Sequence, residues 1–295
     1  MGRIFRYQAA GIDTGLTVSC FLRRKGFSRQ DLIRVKYSGG RVQLNGRDSL
    51  MNSRLSPEDL VCVTLPDEES SPQVIPVRLP LDILYEDEDI VVVNKPAGMP
   101  IHPSRENYDN TLANSLAWYY KEKGVPFVFR CSNRLDRDTS GLTLAAKNVI
   151  SAGILSEMGA RREISREYLA ICRGDMPWPW GTIDVPIGRK PGSIIERTVD
   201  PEHGERAVTH YELIAKRDGY NLVRLKLETG RTHQIRMHMK YLGFPLIGDY
   251  LYNPDMERIQ RQALHSWKLS FRHPVTGREM EFIQPLPEDM KRILK

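Results

Sequence analysis

The chain has 295 residues, of which 40% are hydrophobic and 27% are charged, so it can build a sizeable core and wholesale disorder is excluded. It contains no run of 18 apolar residues and no signal-like start, so we expect neither a membrane span nor secretion. The formal net charge of +6 permits nucleic acid as a partner without requiring it. Four cysteines without a CxxC pair argue against zinc, redox chemistry and a disulfide scaffold, and we expect a cytoplasmic setting.

The beginning of the chain has the patterns of a small basic domain with one helix and a short sheet. The stretch 28–37 predicts a helix that Ser28 caps. Three apolar residues of this helix are expected to face inward: Leu32, Ile33 and Val35. Residues 41–48 predict a strand that enters a tight turn at Asn45-Gly46, and residues 61–65 alternate again as a strand. This length suffices for a domain, although a marginal one.

Prolines separate this segment from the rest of the chain. Four of them occur between residues 66 and 80, with acidic and hydroxyl residues between them. Such a stretch favours an extended and fairly stiff connection over a packed element. We therefore expect a first domain over residues 1–66, a linker over 67–80 and a second domain over 81–295.

The second domain mixes strand and helix patterns without a regular βαβ rhythm. Residues 90–94 and 141–147 predict buried strands, and Asp218-Gly219 predicts the turn of a hairpin. Residues 110–123 predict a helix. The spacing of apolar residues in 232–242 fits both a strand and a helix. The length of this segment and the stop signal of Gly243 favour a helix. The predicted fold class is α+β: a mixed, largely antiparallel β-sheet with flanking helices, preceded by the small α/β domain.

One segment, NRLDRDTSGLTLAAKN over residues 133–148, combines charge with a buried strand. Asp136 lies between Arg134 and Arg137, just before that strand. A carboxylate held beside cations stays ionised and suits a nucleophile or a general base. The same pattern also fits a solvated turn with surface ion pairs of about 0–1 kcal/mol. The spacing alone favours the solvated turn.

The same segment resembles the RLDxxTSGL signature of the RluA-type pseudouridine synthases, which isomerise uridine to pseudouridine in RNA. Four further segments resemble motifs of this family in the same order: EDEDIVVVNKPAGMPIHPS (86–104), SREYLA (165–170), ETGRTHQIRMHMKYLGFPLIGDYLY (228–252) and ALHSWKLSFRHPVTG (263–277). Five motifs in order are strong evidence for the resemblance, which spans residues 81–287.

The resemblance implies roles for individual residues. Asp136 matches the catalytic aspartate, Tyr168 the tyrosine that packs against the target base, and Arg236 the arginine that pairs with the aspartate. Arg134 matches the residue that fills the gap left by the flipped base. Asn133 stands where the family usually has His, and it can hydrogen-bond but carries no charge near neutral pH. We include Asn133 among the RNA-binding residues.

The resemblance also implies the reaction and its requirements. The target uracil must leave the RNA stack, be detached, rotated and rejoined through C5, and the aspartate attacks either the sugar C1′ or the base C6. No redox change occurs, so no cofactor and no metal are expected. The expected partner is structured RNA, either ribosomal or transfer RNA, and the expected oligomeric state is a monomer.

Two other functions remain open from the sequence. A catalytically inactive RNA-binding protein of ribosome assembly is favoured only by Asn133, while Asp136, Tyr168 and Arg236 together oppose it. A hydrolase that uses Asp136 as a base is more remote, and release of free uracil would support it.

The first domain is similar to the S-four-like RNA-binding domain, which often precedes RluA-type catalytic domains. The match lies in FSRQDLIRVKYSGGRVQLNGRD followed by SPEDLVCVTLP. Arg29, Arg34 and Lys36 belong to a basic cluster that also includes Arg23, Arg24 and Lys25. The alternative is a solvated helix face, but such a face usually carries more interspersed acids, so we expect RNA contact.

Two further features have simpler interpretations. His233 and His238 would point about 140° apart on a helix, which makes them poor metal co-ligands and favours a structural or RNA-facing role. Lys95-Pro96 is interpreted as a turn that ends a strand. We expect no metal site.

Overall fold

The computed structural model describes residues 2–295, and its first part is a four-stranded antiparallel sheet with two helices. The strands are β1 (Ile4–Gln8), β2 (Arg41–Leu44), β3 (Arg47–Asp48) and β4 (Leu60–Thr64), and the helices are α1 (Val18–Arg24) and α2 (Arg29–Tyr37). The strand order is β1-β4-β2-β3. Asn45 and Gly46 have φ values of 53° and 80° and form the predicted tight turn between β2 and β3.

The helix α2 begins as its sequence predicts. Ser28 accepts a hydrogen bond from the Asp31 N–H, and the Asp31 carboxylate accepts one from the Ser28 N–H, which is a capping box. Leu32 and Val35 are buried, but Ile33 is 49% exposed. The inward position predicted for Ile33 is therefore wrong, because α2 is covered on only one side.

Residues 65–81 contain no helix or strand, but they are hydrogen-bonded to side-chain and backbone groups of the following part. Asn114 donates to the Ile75 carbonyl at 2.7 Å, and Ser70 Oγ accepts from the Phe127 N–H at 3.1 Å. The stretch is thus extended and attached along its length. We keep the division at residues 66 and 80 as a proposal.

The second part is built on a ten-stranded sheet. Its strands are β5 (Asp82–Glu86), β6 (Ile90–Lys95), β7 (Arg130–Cys131), β8 (Ser140–Ala146), β9 (Ser165–Arg173), β10 (Trp180–Asp184), β13 (Val208–Arg217), β14 (Tyr220–Leu227), β15 (Leu264–Arg272) and β16 (Glu279–Ile283), and a separate hairpin joins β11 (Ile187–Arg189) to β12 (Arg197–Val199). The helices are α3 (Leu112–Glu122), α4 (Val149–Ala160), α5 (Gln234–Tyr241) and α6 (Glu288–Ile293).

The sheet runs in the order β10-β13-β14-β9-β15-β8-β6-β5, with β16 beside β15 and β7 beside β8. Its pairs are antiparallel except for β15 with β8, which are parallel. The predicted mixed, largely antiparallel α+β fold is confirmed. The helix predicted around residues 232–242 is also present as α5.

The central strands are covered on both faces, which explains their uninterrupted apolar runs. Val91 and Val93 of β6 face the cluster that contains α3, whereas Ile90 and Val92 face the cluster that contains α4. All seven residues of β8 are buried. The loop before β8 is therefore attached to the most buried part of the sheet. Within residues 2–295, no helix is long and apolar enough to cross a membrane.

Candidate active site

A cavity of about 390 Å³ opens between the loop before β8, the strand β9 and the start of α5. Its lining includes Arg134, Asp136, Arg166, Tyr168, His233 and Arg236. The structure thus brings together five of the site residues predicted from the sequence: Asn133, Arg134, Asp136, Tyr168 and Arg236.

Asp136 is held in the cavity by Arg236. Its Oδ2 atom accepts a hydrogen bond from Arg236 Nη1 at 3.0 Å, and the Asp136 side chain remains 25% exposed. Its other oxygen, Oδ1, accepts no hydrogen bond from any side chain or backbone group of residues 2–295. One carboxylate oxygen is thus oriented by a cation, and the other is free to meet a substrate.

Arg236 is itself held by Asp249, a residue that the sequence analysis did not single out. Arg236 Nε and Nη2 donate to the two Asp249 oxygens at 2.7 and 2.8 Å. Asp249 also accepts the N–H groups of Leu251 and Tyr252, and its side chain is fully buried. Burial alone would lower the pKa of Arg236, but the pairs with Asp249 and Asp136 outweigh it and raise this pKa. The Gly-Asp pair at 248–249, inside an otherwise apolar motif, was the signal that could have revealed Asp249.

Tyr168 lies in the middle of β9, between β14 and β15, where it pairs with Leu225 and Ser266. Its side chain is buried and lines the cavity. Burial raises the pKa of Tyr168, and the charge of Asp136 adds to this effect, whereas Arg166 and Ser266 oppose it. The tyrosine therefore presents a protonated hydroxyl and an apolar ring beside the aspartate.

Two guanidinium groups at the cavity have no carboxylate partner. Arg134 is exposed and makes no ion pair within residues 2–295. Arg166 is half-buried, and its Nε atom has no hydrogen-bond partner in that same range. Arg166 lies in the segment SREYLA (165–170), and the family resemblance assigned it no role. Unpaired arginines beside an open cavity suit a substrate that carries phosphates.

Asn133 lines the cavity, but its side chain is engaged inside the protein. It is buried, its amide donates to the Leu142 carbonyl at 3.0 Å, and its Oδ1 accepts from the Leu144 N–H at 2.7 Å. Both functional ends of the side chain are used inside the protein. We propose that Asn133 holds the loop of Asp136 against β8, and its contact with RNA stays a prediction.

Lys95 also holds this loop and does more than end a strand. Its buried ammonium group donates to the carbonyl oxygens of Pro96, Met99 and Arg137 at 2.8, 2.7 and 2.9 Å. Burial lowers the pKa of Lys95, against the opposing charges of Asp138 and Asp136. The bond to Arg137 fixes the backbone next to Asp136.

The basic residues predicted to contact RNA lie outside the cavity. Arg29, Arg34 and Lys36 are exposed on α2 and make no ion pair within the part of the chain that the structure describes. They belong to the first part of the chain, whereas the cavity is built from the second. Any RNA that contacts both must extend beyond the target nucleotide.

The histidines do not form a metal site around the cavity. His238 is bonded to Thr209 and to the Val185 carbonyl, away from His233. The described residues contain one cluster with metal-ligand spacing, Asp87, Asp89 and His273. His273 bonds Asp87 at 2.8 Å and Arg3 bonds Asp89 at 2.9 Å, so protein donors already satisfy this cluster.

The cavity brings together a carboxylate, a buried arginine and a tyrosine on a mixed sheet, the set of residues that the resemblance assigns to an RNA-modifying isomerase. The sequence model of the family described as RNA pseudouridylate synthase matches residues 89–241, about half of the chain. The chain belongs to this family and is an RNA pseudouridine synthase.

Individual relatives agree with this assignment. The chain is 44% identical to the RNA pseudouridine synthase YjbO of Bacillus subtilis over 95% of this chain and 99% of that protein. It is 39% identical to the ribosomal large subunit pseudouridine synthase D of Escherichia coli K12, over 86% of this chain and 82% of that one. The solved structure of human RNA pseudouridylate synthase domain containing 1 is 28% identical, with a TM-score of 0.59, and the match covers 74% of this chain and 86% of that one.

Proposed function

We propose that this synthase isomerises uridine in structured RNA, and specifically in large-subunit ribosomal RNA, with Asp136 as its nucleophile. The observation that carries this proposal is the chain of ion pairs from buried Asp249 through Arg236 to Asp136. It orients one oxygen of Asp136 and leaves the other open to the cavity. Such a fixed carboxylate is prepared for attack before the substrate arrives.

The target base has to leave its stack before it reaches Asp136, at a cost of roughly a few kcal/mol. The cavity of about 390 Å³ has room for a flipped base. Arg134 is exposed at the cavity and has no ion-pair partner within residues 2–295, which supports its entry into the space that the base vacates. Its planar cation can stack there, which Lys could not do as well.

Attack at C1′ gives one balanced sequence. Asp136 Oδ1 forms a bond to C1′ while the N1–C1′ bond breaks, and the uracil leaves with the electron pair. After the uracil rotates, C5 attacks C1′ and Asp136 is released. C5 then loses its proton and N1 gains one. Attack at C6 is the alternative route to the same product.

Tyr168 and Arg236 serve this sequence in different ways. Tyr168 offers its buried ring as a surface for the rotating uracil and its hydroxyl for proton transfer. Arg236 orients Asp136 through their ion pair and stabilises the carboxylate as a leaving group in the second half of the reaction.

Ribosomal RNA is the substrate that we favour over transfer RNA, because relatives named ribosomal large subunit pseudouridine synthase D align with most of this chain. We also propose that the enzyme acts as a monomer. Its RNA substrate would place the reaction in the cytoplasm.

Tritium release from RNA labelled at uracil C5 tests the nucleophile. Total RNA from cells that lack this protein would be incubated with the wild type and with Asp136→Asn, and we expect release by the wild type alone. Full release by Asp136→Asn would refute the role of Asp136. Separating ribosomal from transfer RNA afterwards tests the substrate. Free uracil in the supernatant would indicate hydrolysis, and intact RNA binding without release would indicate the inactive RNA-binding protein.

A further inference from the structure

His233 is held at the cavity in an unfavourable backbone conformation. It precedes α5 with φ 57° and ψ 21°, in the left-handed region that residues other than glycine avoid. Its side chain makes no capping hydrogen bond to the helix. Conformational strain of this kind persists where the surrounding structure enforces it and clusters at functional sites. The backbone conformation therefore points to a role for the His233 side chain in the cavity.

The hydrogen bonds around Tyr252 determine which nitrogen of His233 carries the proton. The Tyr252 hydroxyl accepts the Arg197 N–H at 2.7 Å and lies 2.9 Å from His233 Nδ1. Burial raises the pKa of Tyr252 to about 12, so the hydroxyl keeps its proton. That proton has one acceptor among the described residues, His233 Nδ1, and a buried hydroxyl without an acceptor would be costly. His233 is thus the neutral tautomer with its proton on Nε2.

This Nε2–H faces Asp136 across a gap. His233 Nε2 is 4.0 Å from Asp136 Oδ2, which is too long for a direct hydrogen bond but leaves room for one oxygen atom bonded to both. Burial lowers the pKa of His233. Asp136 and Asp249 oppose this effect, whereas Arg236 and Arg197 add to it. The imidazole is therefore a neutral donor beside an acceptor.

The group that fills the gap must accept from His233 and donate to Asp136. A uracil carbonyl can only accept and would face the carboxylate unfavourably, and the uracil N3–H can only donate. A hydroxyl does both through one oxygen. In a uridine within an RNA chain, the 3′ and 5′ oxygens are esterified, so the 2′-hydroxyl is the remaining candidate. It is also the hydroxyl next to C1′.

We propose that His233 is a specificity-determining residue that, set by Tyr252, donates its Nε2–H to the 2′-hydroxyl of the target nucleotide, while that hydroxyl donates to Asp136 Oδ2. The proposal rests on the proposed function and adds no covalent step to it. It makes the enzyme selective for ribose at the target nucleotide. It also gives a reason for the left-handed backbone at His233, which holds Nε2 4.0 Å from Asp136 Oδ2.

The tautomer can be tested without RNA. Two-bond 1H–15N spectra of the full-length protein at neutral pH distinguish a protonated from an unprotonated ring nitrogen, and loss of a signal set in His233→Asn identifies His233. We expect a protonated Nε2 in the wild type and a mixture of tautomers in Tyr252→Phe, which keeps the ring against Arg236. Tyr241→Phe, an exposed tyrosine on α5, is the matched control and should leave the spectrum unchanged. A protonated Nδ1 or an imidazolium in the wild type would overturn the proposal.

The contact itself is tested with synthetic RNA hairpins that contain the uridine modified by the wild type, carrying either ribose or 2′-deoxyribose at that one position. We expect the deoxy substitution to lower the wild-type kcat/KM about 10- to 100-fold, as for a lost hydrogen bond to a charged group. His233→Asn, whose side chain tolerates the left-handed conformation but is too short, should lose a similar factor on ribose RNA and almost nothing more on deoxy RNA. His233→Gln, which can place an N–H near the Nε2 position, should recover part of the loss.

If the factor lost in kcat/KM through His233→Asn and the factor lost through the deoxy substrate multiply, the two groups act independently and the contact is refuted. An undiminished wild-type rate on the deoxy hairpin would refute it as well, and a water would then fill the gap. Failure of the proposed function is distinguishable, because the wild type would then form no pseudouridine on the ribose hairpin. Thermal unfolding of each variant, together with the kcat and KM values taken separately, distinguishes a lost contact from a damaged fold.

Discussion

At the scale of single residues, the site depends on a buried charge that never meets the substrate. Asp249 uses both carboxylate oxygens to hold Arg236 through Nε and Nη2, and Arg236 in turn donates from Nη1 to Asp136. Removing one partner of a buried ion pair leaves an uncompensated charge, which is far more costly than losing a surface pair. Asp249 is thus a positioning residue whose influence reaches Asp136 through Arg236.

We predict that Asp249→Asn destabilises the protein by about 3 kcal/mol and lowers kcat more than KM. The guanidinium would lose its counter-ion and would no longer be held against Asp136. Denaturant unfolding and steady-state kinetics measure the two effects. Asp255→Asn is the control, because Asp255 pairs with Arg173 at the surface, and it should change stability by about 1 kcal/mol or less. Unchanged activity in Asp249→Asn would contradict this positioning role.

At the scale of elements, Glu86 connects three segments around the edge of the large sheet. At the end of β5, it accepts from Tyr119 of α3 at 2.6 Å, from Lys123 just after α3 at 2.9 Å and from Lys147 after β8 at 2.8 Å. Burial would raise the pKa of Glu86, but these donors outweigh it and lower the pKa to about 2. The ionised carboxylate thus stabilises the folded protein.

The lowered pKa gives a stability that depends on pH. Because the pKa of Glu86 is lower in the folded than in the unfolded chain, its contribution is present above about pH 4.5 and disappears as the pH falls toward 2. We predict that Glu86→Gln costs about 2–3 kcal/mol at pH 7 and much less near pH 2.5, as followed by urea unfolding. Glu281→Gln, at an exposed pair with Lys268, is the matched control with a small effect at both pH values. A penalty equal at both pH values would contradict this origin.

At the scale of the whole molecule, the two parts of the chain share a core. Ile150 of α4 is fully buried within the cluster that contains Phe5, Phe21 and Val61 of the first part. Arg3 also reaches Asp89 through two hydrogen bonds of 2.9 Å. The first part therefore packs directly on the second, and its removal would expose apolar surface of α4.

We predict that Ile150→Ala destabilises the full chain by about 2–4 kcal/mol, because it leaves a cavity between the two parts. In a chain that lacks residues 1–66, the same substitution should cost much less, because Ile150 is already exposed there. Thermal unfolding of the full chain and of the shortened chain, each with and without Ile150→Ala, gives this comparison. An equal cost in both backgrounds would show that Ile150 does not report on the packing between the parts.

The same arrangement makes the first part a candidate extension of the RNA-binding surface. We predict that replacing Arg29, Arg34 and Lys36 together by Gln weakens RNA binding and reduces the slope of log affinity against log salt by about 2, since roughly 0.7 to 0.9 of slope accompanies each lost phosphate contact. Filter binding at several KCl concentrations measures the slope. Arg272→Gln, an exposed arginine paired with Glu279, should leave the slope unchanged. A slope unaffected by the triple replacement would remove the case for RNA contact at α2.

Local structural features of this chain could be predicted from its sequence alone. The capping box of α2, the Asn45-Gly46 turn and the buried strand β8 follow from short-range preferences, and the resemblance placed Asp136, Tyr168 and Arg236 in one site. The inward position of Ile33 failed because helical periodicity identifies an apolar face but not how much of it is covered.

The sequence by itself determined the class of fold and the family, and it supplied the proposal for the residues that carry the reaction. The tertiary structure decided that Asn133 is buried between backbone groups of β8, that Asp249 holds Arg236, and that Tyr252 sets the proton on His233. The physical reason is distance along the chain. Periodicity and turn preferences act over a few residues, whereas Asp136 meets a partner 100 residues away and His233 meets one 19 residues away. Only the packed sheet and its loops bring such groups within hydrogen-bonding reach.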